Sequence, residues 1–143
     1  MTNELKEHLL SIAAASHEDR VEYGRRAVGA FIHGLREGGL DDEKINFILV
    51  AYTRLFVSAD KSCERGEYEL FRDITKMDIS GEEFYNLTNG GKDPEFVSNF
   101  IELASKLTPD DRAACLAYGA SIIGADGSIS DEEFELFDRI LNA

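Results

Sequence analysis

Apolar residues recur along this chain at steps of three and four, the period of a helix with one buried face, and nowhere alternate convincingly with the period of two that marks a strand. Between residues 42 and 59 the set Ile45, Ile48, Leu49, Tyr52, Leu55, Phe56 and Ala59 predicts a well-patterned helix. Upstream, Val21, Val28, Phe31, Ile32 and Leu35 share one face of a helix that Ser16 caps, with Asp19 behind it, and that Gly38 and Gly39 close. Leu70, Phe71, Ile74 and Met77 mark the next helix. Ser80 and Glu83 then form a capping box, opening a short segment closed by Gly90 and Gly91. Both prolines fall at the first helical position behind a capping side chain, Asp93 before Pro94 and Thr108 before Pro109. The run from Ala113 to Ile123 is apolar nearly all round and predicts the most buried helix. A second capping box, Ser130 with Glu133, starts a last helix whose Phe134, Phe137, Ile140 and Leu141 face inward. No linker or low-complexity stretch divides the chain. The expectation is an all-α single domain over residues 1–143, a compact bundle of seven to eight helices.

Sliding the sequence on itself by 66 residues aligns Ala51 to Ile74 with Ala117 to Ile140, with ten identities in 24 positions. Residue usage of roughly 7% per position would give about two by chance, so the repeat is real. Each copy reads as a helix, a loop opened by Ala-Asp, and a second helix whose first turn carries a glutamate seven residues after the aspartate: Asp60 with Glu67, then Asp126 with Glu133. Shared packing explains the apolar identities Leu70/Leu136 and Phe71/Phe137. It does not explain the acidic ones. Glu133 has a capping partner in Ser130, whereas the equivalent residue in the first copy is Glu64, so Glu67 keeps its carboxylate without that partner. Attraction to the positive end of a helix is the simplest competing reason for an acid in that turn.

Charge narrows the functional classes. The chain has 143 residues, 43% hydrophobic, with 15 Lys plus Arg against 28 Asp plus Glu and a formal net charge of -13. Such an excess opposes binding to nucleic-acid phosphates and anionic membranes, and leaves cations and basic proteins as partners. Residues 77–143 hold 14 acids against 4 bases, a net of -10, so the C-terminal half is the acidic pole, read either as a solvated surface that keeps the protein in solution or as a docking face for a basic partner. No apolar run approaches the roughly 18 residues of a membrane-spanning helix. Leu9 to Ala15 is a short apolar stretch, but Glu4 and Glu7 precede it where a secretory signal needs basic residues, which points to a cytoplasmic protein. Cys63 and Cys115 lie far apart and suit reduced thiols. His8, His17 and His33 lack the paired spacing of a zinc site and are expected to face solvent or to bond locally.

The loop from Asp126 to Glu133 has the look of an EF-hand's end, but that register puts Ile122 and Gly124 at the first and third ligand positions, where carboxylates are required. The first copy places Phe56 at the first position and Lys61 where the loop glycine belongs, so an EF-hand is excluded. The phrase Ala-Asp-Gly-Ser-Ile-Ser-Asp-Glu-Glu at 125–133, between an Ala-rich helix and an amphipathic one and echoed by Ala59-Asp60 with Glu67, resembles the TerB-like domain of tellurite-resistance proteins. The resemblance spans roughly residues 20 to 143, with Lys61, Arg65 and Gly66 departing from the pattern. It implies an all-helical fold of two similar halves, a role in tellurite or stress resistance within larger assemblies, and an acidic cluster from the equivalent loops proposed as a metal site. Asp60, Glu67, Asp126 and Glu133, if they converge, offer only oxygen ligands, a set suited to calcium, magnesium or manganese. No phosphate-binding glycine loop, nucleophile elbow or Cys/His pairing is present, so an enzyme is not expected. The leading expectation is a non-enzymatic domain that binds a divalent cation through those four acids. The alternative is an interaction module that docks a basic partner through its acidic C-terminal half without a specific metal.

Overall fold

The computed structural model describes residues 1–59, 65–88, 93–123 and 129–143, and among them the chain is all-helical. Its elements are α1 Asn3–Ala13, α2 His17–Glu37, α3 Asp42–Ala59, α4 Arg65–Thr75, α5 Gly81–Thr88, α6 Pro94–Ala104, α7 Pro109–Ile123 and α8 Asp131–Leu141.

Their boundaries follow local capping chemistry, because the first turn of a helix has backbone N–H groups without intrahelical acceptors. Ser16 Oγ accepts from Asp19 N at 3.2 Å, Thr108 Oγ1 from Asp111 N at 3.1 Å and Asp93 Oδ1 from Glu95 N at 3.0 Å. Both expected capping boxes close. Ser80 Oγ accepts from Glu83 N at 3.1 Å while Ser80 N donates to Glu83 Oε1 at 3.4 Å, and Ser130 with Glu133 makes the same pair at 3.2 and 2.7 Å. Gly38 and Gly39 end α2, with Gly39 at φ +90°. Gly90 and Gly91 lie outside the described residues. Met77, expected within α4, stands beyond its end: Lys76 takes a left-handed φ of 58° and stops the helix at Thr75, leaving Met77 half-buried beside the core.

Helix α7 is the axis. It packs against α1, α2, α3, α4 and α8, with its longest contact along α2. Cys115, Leu116, Tyr118, Gly119, Ala120, Ser121, Ile122 and Ile123 are all buried, as the all-round apolar pattern predicts. A side chain at Gly119 would meet the ring of Phe56 at 2.9 Å, so the missing Cβ lets α3 and α7 approach closely. Around that contact runs an aromatic chain. Phe31 of α2 meets Tyr52 edge-on at 6.0 Å, Tyr52 stacks on Phe56 at 6.3 Å, and Phe56 meets Tyr118 at 6.2 Å and Phe137 at 5.7 Å. Phe134, Phe137 and Ile140 of α8 are buried, while Leu141 and, on α2, Ile32 are half-buried.

The repeat is visible in these elements. Helices α4 and α8 begin and end at positions 66 residues apart, and each packs on α7. At the N-terminus, α1 was not foreseen as a distinct helix. Thr2 caps it, accepting from Leu5 N at 3.2 Å, and it buries Leu9, Ile12 and Ala13.

Candidate functional site

Two of the four expected acids are described. Glu67 lies in the first turn of α4 with none of its surface exposed, and Glu133 in the first turn of α8 with 5% exposed. Both carboxylate oxygens of Glu67 and Oε2 of Glu133 are shielded from solvent. Asp60 and Asp126, the opening aspartates of the two loops, lie outside the described residues.

Burial changes the reading of these acids. A surface carboxylate in a first helical turn gains some tenths of a kcal/mol up to about 1 kcal/mol from the helix dipole. Removing the same group from water costs several kcal/mol, which hydrogen bonds, an opposite charge or protonation must offset. Glu133 meets part of that cost through its cap, where Oε1 accepts from Ser130 N at 2.7 Å. Glu67 is buried more completely although Glu64 stands at the position equivalent to Ser130. Helix-terminus electrostatics on an exposed surface therefore do not account for the recurring pair.

Beneath the two loop-bearing halves lies a polar layer that the sequence did not advertise. Tyr52 Oη donates to the carbonyl of Phe100 at 2.8 Å. At the equivalent place in the second copy, Tyr118 Oη lies 2.6 Å from Thr53 Oγ1. Thr53 donates its own proton to the carbonyl of Leu49 at 2.8 Å, so Tyr118 is the donor in the hydroxyl pair. Burial pushes the Tyr52 and Tyr118 hydroxyls far above the ordinary value of 10.0 and the Cys115 thiol far above 9.0, because ionised forms would be desolvated there. All three stay protonated, and the two tyrosine hydroxyls hold α3 to α6 and α7. The signal for them was the Tyr52/Tyr118 identity in the repeat.

Of the histidines, His17 pairs across the fold and His33 within its own helix. His17 Nε2 sits 2.9 Å from Asp73 Oδ2, where Arg25 also donates to the Asp73 carbonyl through Nη2 at 2.9 Å, and His33 Nε2 sits 3.2 Å from Glu37 Oε1. Among the described residues no group of three or more His, Cys, Asp and Glu side chains is arranged to hold a metal. The four expected acids offer oxygen donors alone, a set that fits hard cations and not zinc or copper. Also among the described residues, no helix is long and apolar enough to cross a membrane.

Comparison with known proteins adds no family: no family model matches the chain, and no curated protein or solved structure matches it.

Proposed function

We propose that this chain is a non-enzymatic, TerB-like helical domain of the cytoplasm, linked to tellurite or stress resistance, that binds a divalent cation of the calcium, magnesium or manganese type through Asp60, Glu67, Asp126 and Glu133. The observation that carries the reading is the burial of Glu67 and Glu133 at positions 66 residues apart, each in the first turn of a helix and each seven residues behind an aspartate. Carboxylates buried at equivalent places, each following a loop aspartate, make an all-oxygen donor set of the kind a hard divalent cation takes.

Metal-stripped protein tests this directly. Calcium, magnesium and manganese are added separately and thermal unfolding is followed. A specific ion present at a hundred times its Kd stabilises the fold by about 2.7 kcal/mol. Asp60→Ala with Asp126→Ala abolishes that shift and the saturable heat in calorimetry. No shift with any of the three ions at millimolar concentration defeats the reading.

A second reading has its own support. The first turns of α7 and α8 carry Asp110, Asp111, Asp131 and Glu132 at least partly exposed, so the acidic C-terminal half presents charge in two groups suited to docking a basic protein.

A further inference from the structure

A cleft of about 770 Å3 opens between the C-terminal part of α2, α3 and the corner where α6 passes into α7. Its floor is apolar: Leu35 and Ile48 are buried, and Leu40, Leu103 and Leu107 are half-buried beside them. One wall is a strip of α2 formed by Ala30, His33, Gly34 and Glu37, residues at i, i+3, i+4 and i+7 on one helix face. Ala30, exposed at the start of that strip, presents only a methyl group. A Cβ at Gly34 would lie 1.9 Å from Asp111 Oδ1, so the glycine makes room for the Asp111 carboxylate to rest against the α2 backbone at the cleft edge.

The rim is negative. Glu37, Asp110 and Asp111 face a single lysine, Lys106. Glu37 is the last residue of α2, where the helix carbonyls already make the potential negative and a base is the favoured residue. Its pairing with His33 at 3.2 Å is solvent-exposed and contributes little to neutralising it. An apolar floor beneath an acidic rim selects an occupant that is apolar in body and cationic at its edges. The wall residues from i to i+7 cover two helical turns, roughly 10 Å, the length over which a guest helix presents its own i, i+3, i+4 and i+7 anchors. A second copy of this chain is a poor occupant, since each copy carries a net charge of -13.

We infer that this cleft is the docking groove for an amphipathic basic helix of a partner protein, which seats aliphatic side chains over Leu35, Ile48, Leu103 and Leu107 and sets lysines or arginines against Glu37, Asp110 and Asp111. The inference rests on the basic-partner reading and gives it a location that spans both halves of the chain. It does not involve the four acids of the cation reading.

The probe is a fluorescent model peptide with leucines at i, i+3, i+4 and i+7 and lysines on the flanks, compared with a glutamate counterpart and a scrambled leucine–lysine sequence. Anisotropy is measured on metal-stripped protein, so a failure of the cation reading leaves this result unaffected. The lysine peptide binds best, weakens from about 0.15 M to about 1 M salt, and shifts amide resonances of α2 and the α6–α7 corner. Ala30→Trp, which fills the cleft from an exposed helix position, weakens it at least about tenfold, a step of one decade in Kd. The triple change Glu37→Gln, Asp110→Asn and Asp111→Asn weakens it by a similar factor without altering packing, and serves alone if the tryptophan variant fails to fold. Equal binding of the glutamate or scrambled peptide, resonance shifts confined to other faces, or affinity unchanged in the triple variant overturns the proposal. So does self-association that Ala30→Trp disrupts, which identifies a second copy as the occupant, or capture of a simple alkylamine with no binding of the lysine peptide.

Discussion

The two copies of the repeat keep the same frame and fill it differently. Tyr52, Leu70, Phe71 and Ile74 in α3 and α4 have identical counterparts in α7 and α8, and all are buried in the first copy. Between those anchors α3 carries Thr53, Arg54, Leu55 and Phe56 where α7 carries Gly119, Ala120, Ser121 and Ile122. The slimmer set lets α7 lie close to α1, α2, α3, α4 and α8. The bulkier set reaches further: Thr53, Leu55 and Phe56 are buried as α3 packs on α2, α5, α6, α7 and α8, while Arg54 lies half-buried over the Phe96 ring at 4.4 Å. The copies thus fill the same frame with different side-chain volumes. Their acids diverged less, since Glu67 and Glu133 are both buried although only Glu133 has a serine cap.

The largest effect that probes this difference is at Phe56, whose ring touches Tyr52, Tyr118 and Phe137. Phe56→Ala leaves a cavity between α3, α7 and α8 and costs about 4 kcal/mol of stability, against about 3 kcal/mol for Ile122→Ala at the equivalent place. Denaturant unfolding measures both. A larger loss at Ile122 reverses the assignment of Phe56 as the bridge between the copies.

Alkali probes the polar layer. Tyr52, Tyr118 and Cys115 are acids held protonated by burial, with folded values raised above the unfolded ones of 10.0 for the tyrosines and 9.0 for the thiol. Their contribution is complete below the unfolded values and is lost as pH rises past them, because the unfolded chain then releases protons that the folded chain retains. Each such group lowers stability by about 1.4 kcal/mol per pH unit. Tyr52 and Tyr118 are matched across the repeat, whereas Cys115, just ahead of the second copy, has Leu49 at the corresponding offset. Cys115→Val therefore moves the onset of the alkaline loss from near pH 9 toward pH 10, read from urea midpoints across that range. An onset unchanged in the variant removes the thiol from the account.

Much of the fold was legible because capping is local chemistry. Ser16, Ser80, Asp93, Thr108 and Ser130 announced their helices, and each makes the bond expected of it. The end of α4 was not legible, since nothing in the identity of Lys76 requires a positive φ. Leu9 and Ile12 lie in the short apolar stretch that follows Glu4 and Glu7, too brief to announce a helix, and they pack into the core from α1. Glu67 and Glu133 were found through the 66-residue offset, while their burial was hidden because it comes from tertiary packing. The cleft was hidden for the same reason: Ala30, Ile48, Leu103 and Asp111 belong to four helices, and no sequence period connects them.

The smallest effect sharpens the comparison of the acids. Ser130→Ala removes the acceptor for Glu133 N, now bonded at 3.2 Å, and costs about 1 kcal/mol. At the exposed box of α5, where Ser80 N reaches Glu83 Oε1 only at 3.4 Å, Ser80→Ala costs about 0.5 kcal/mol. If capping is the only task of Glu133, Ser130→Ala lowers the unfolding midpoint and leaves the calcium or manganese affinity within about a factor of two, a difference of about 0.4 kcal/mol. If the carboxylate also serves an ion, loss of the cap that orients it lowers stability and cation affinity together. Calorimetry on the folded variant separates these outcomes, and a fall in stability with unchanged affinity assigns Glu133 to the helix end alone.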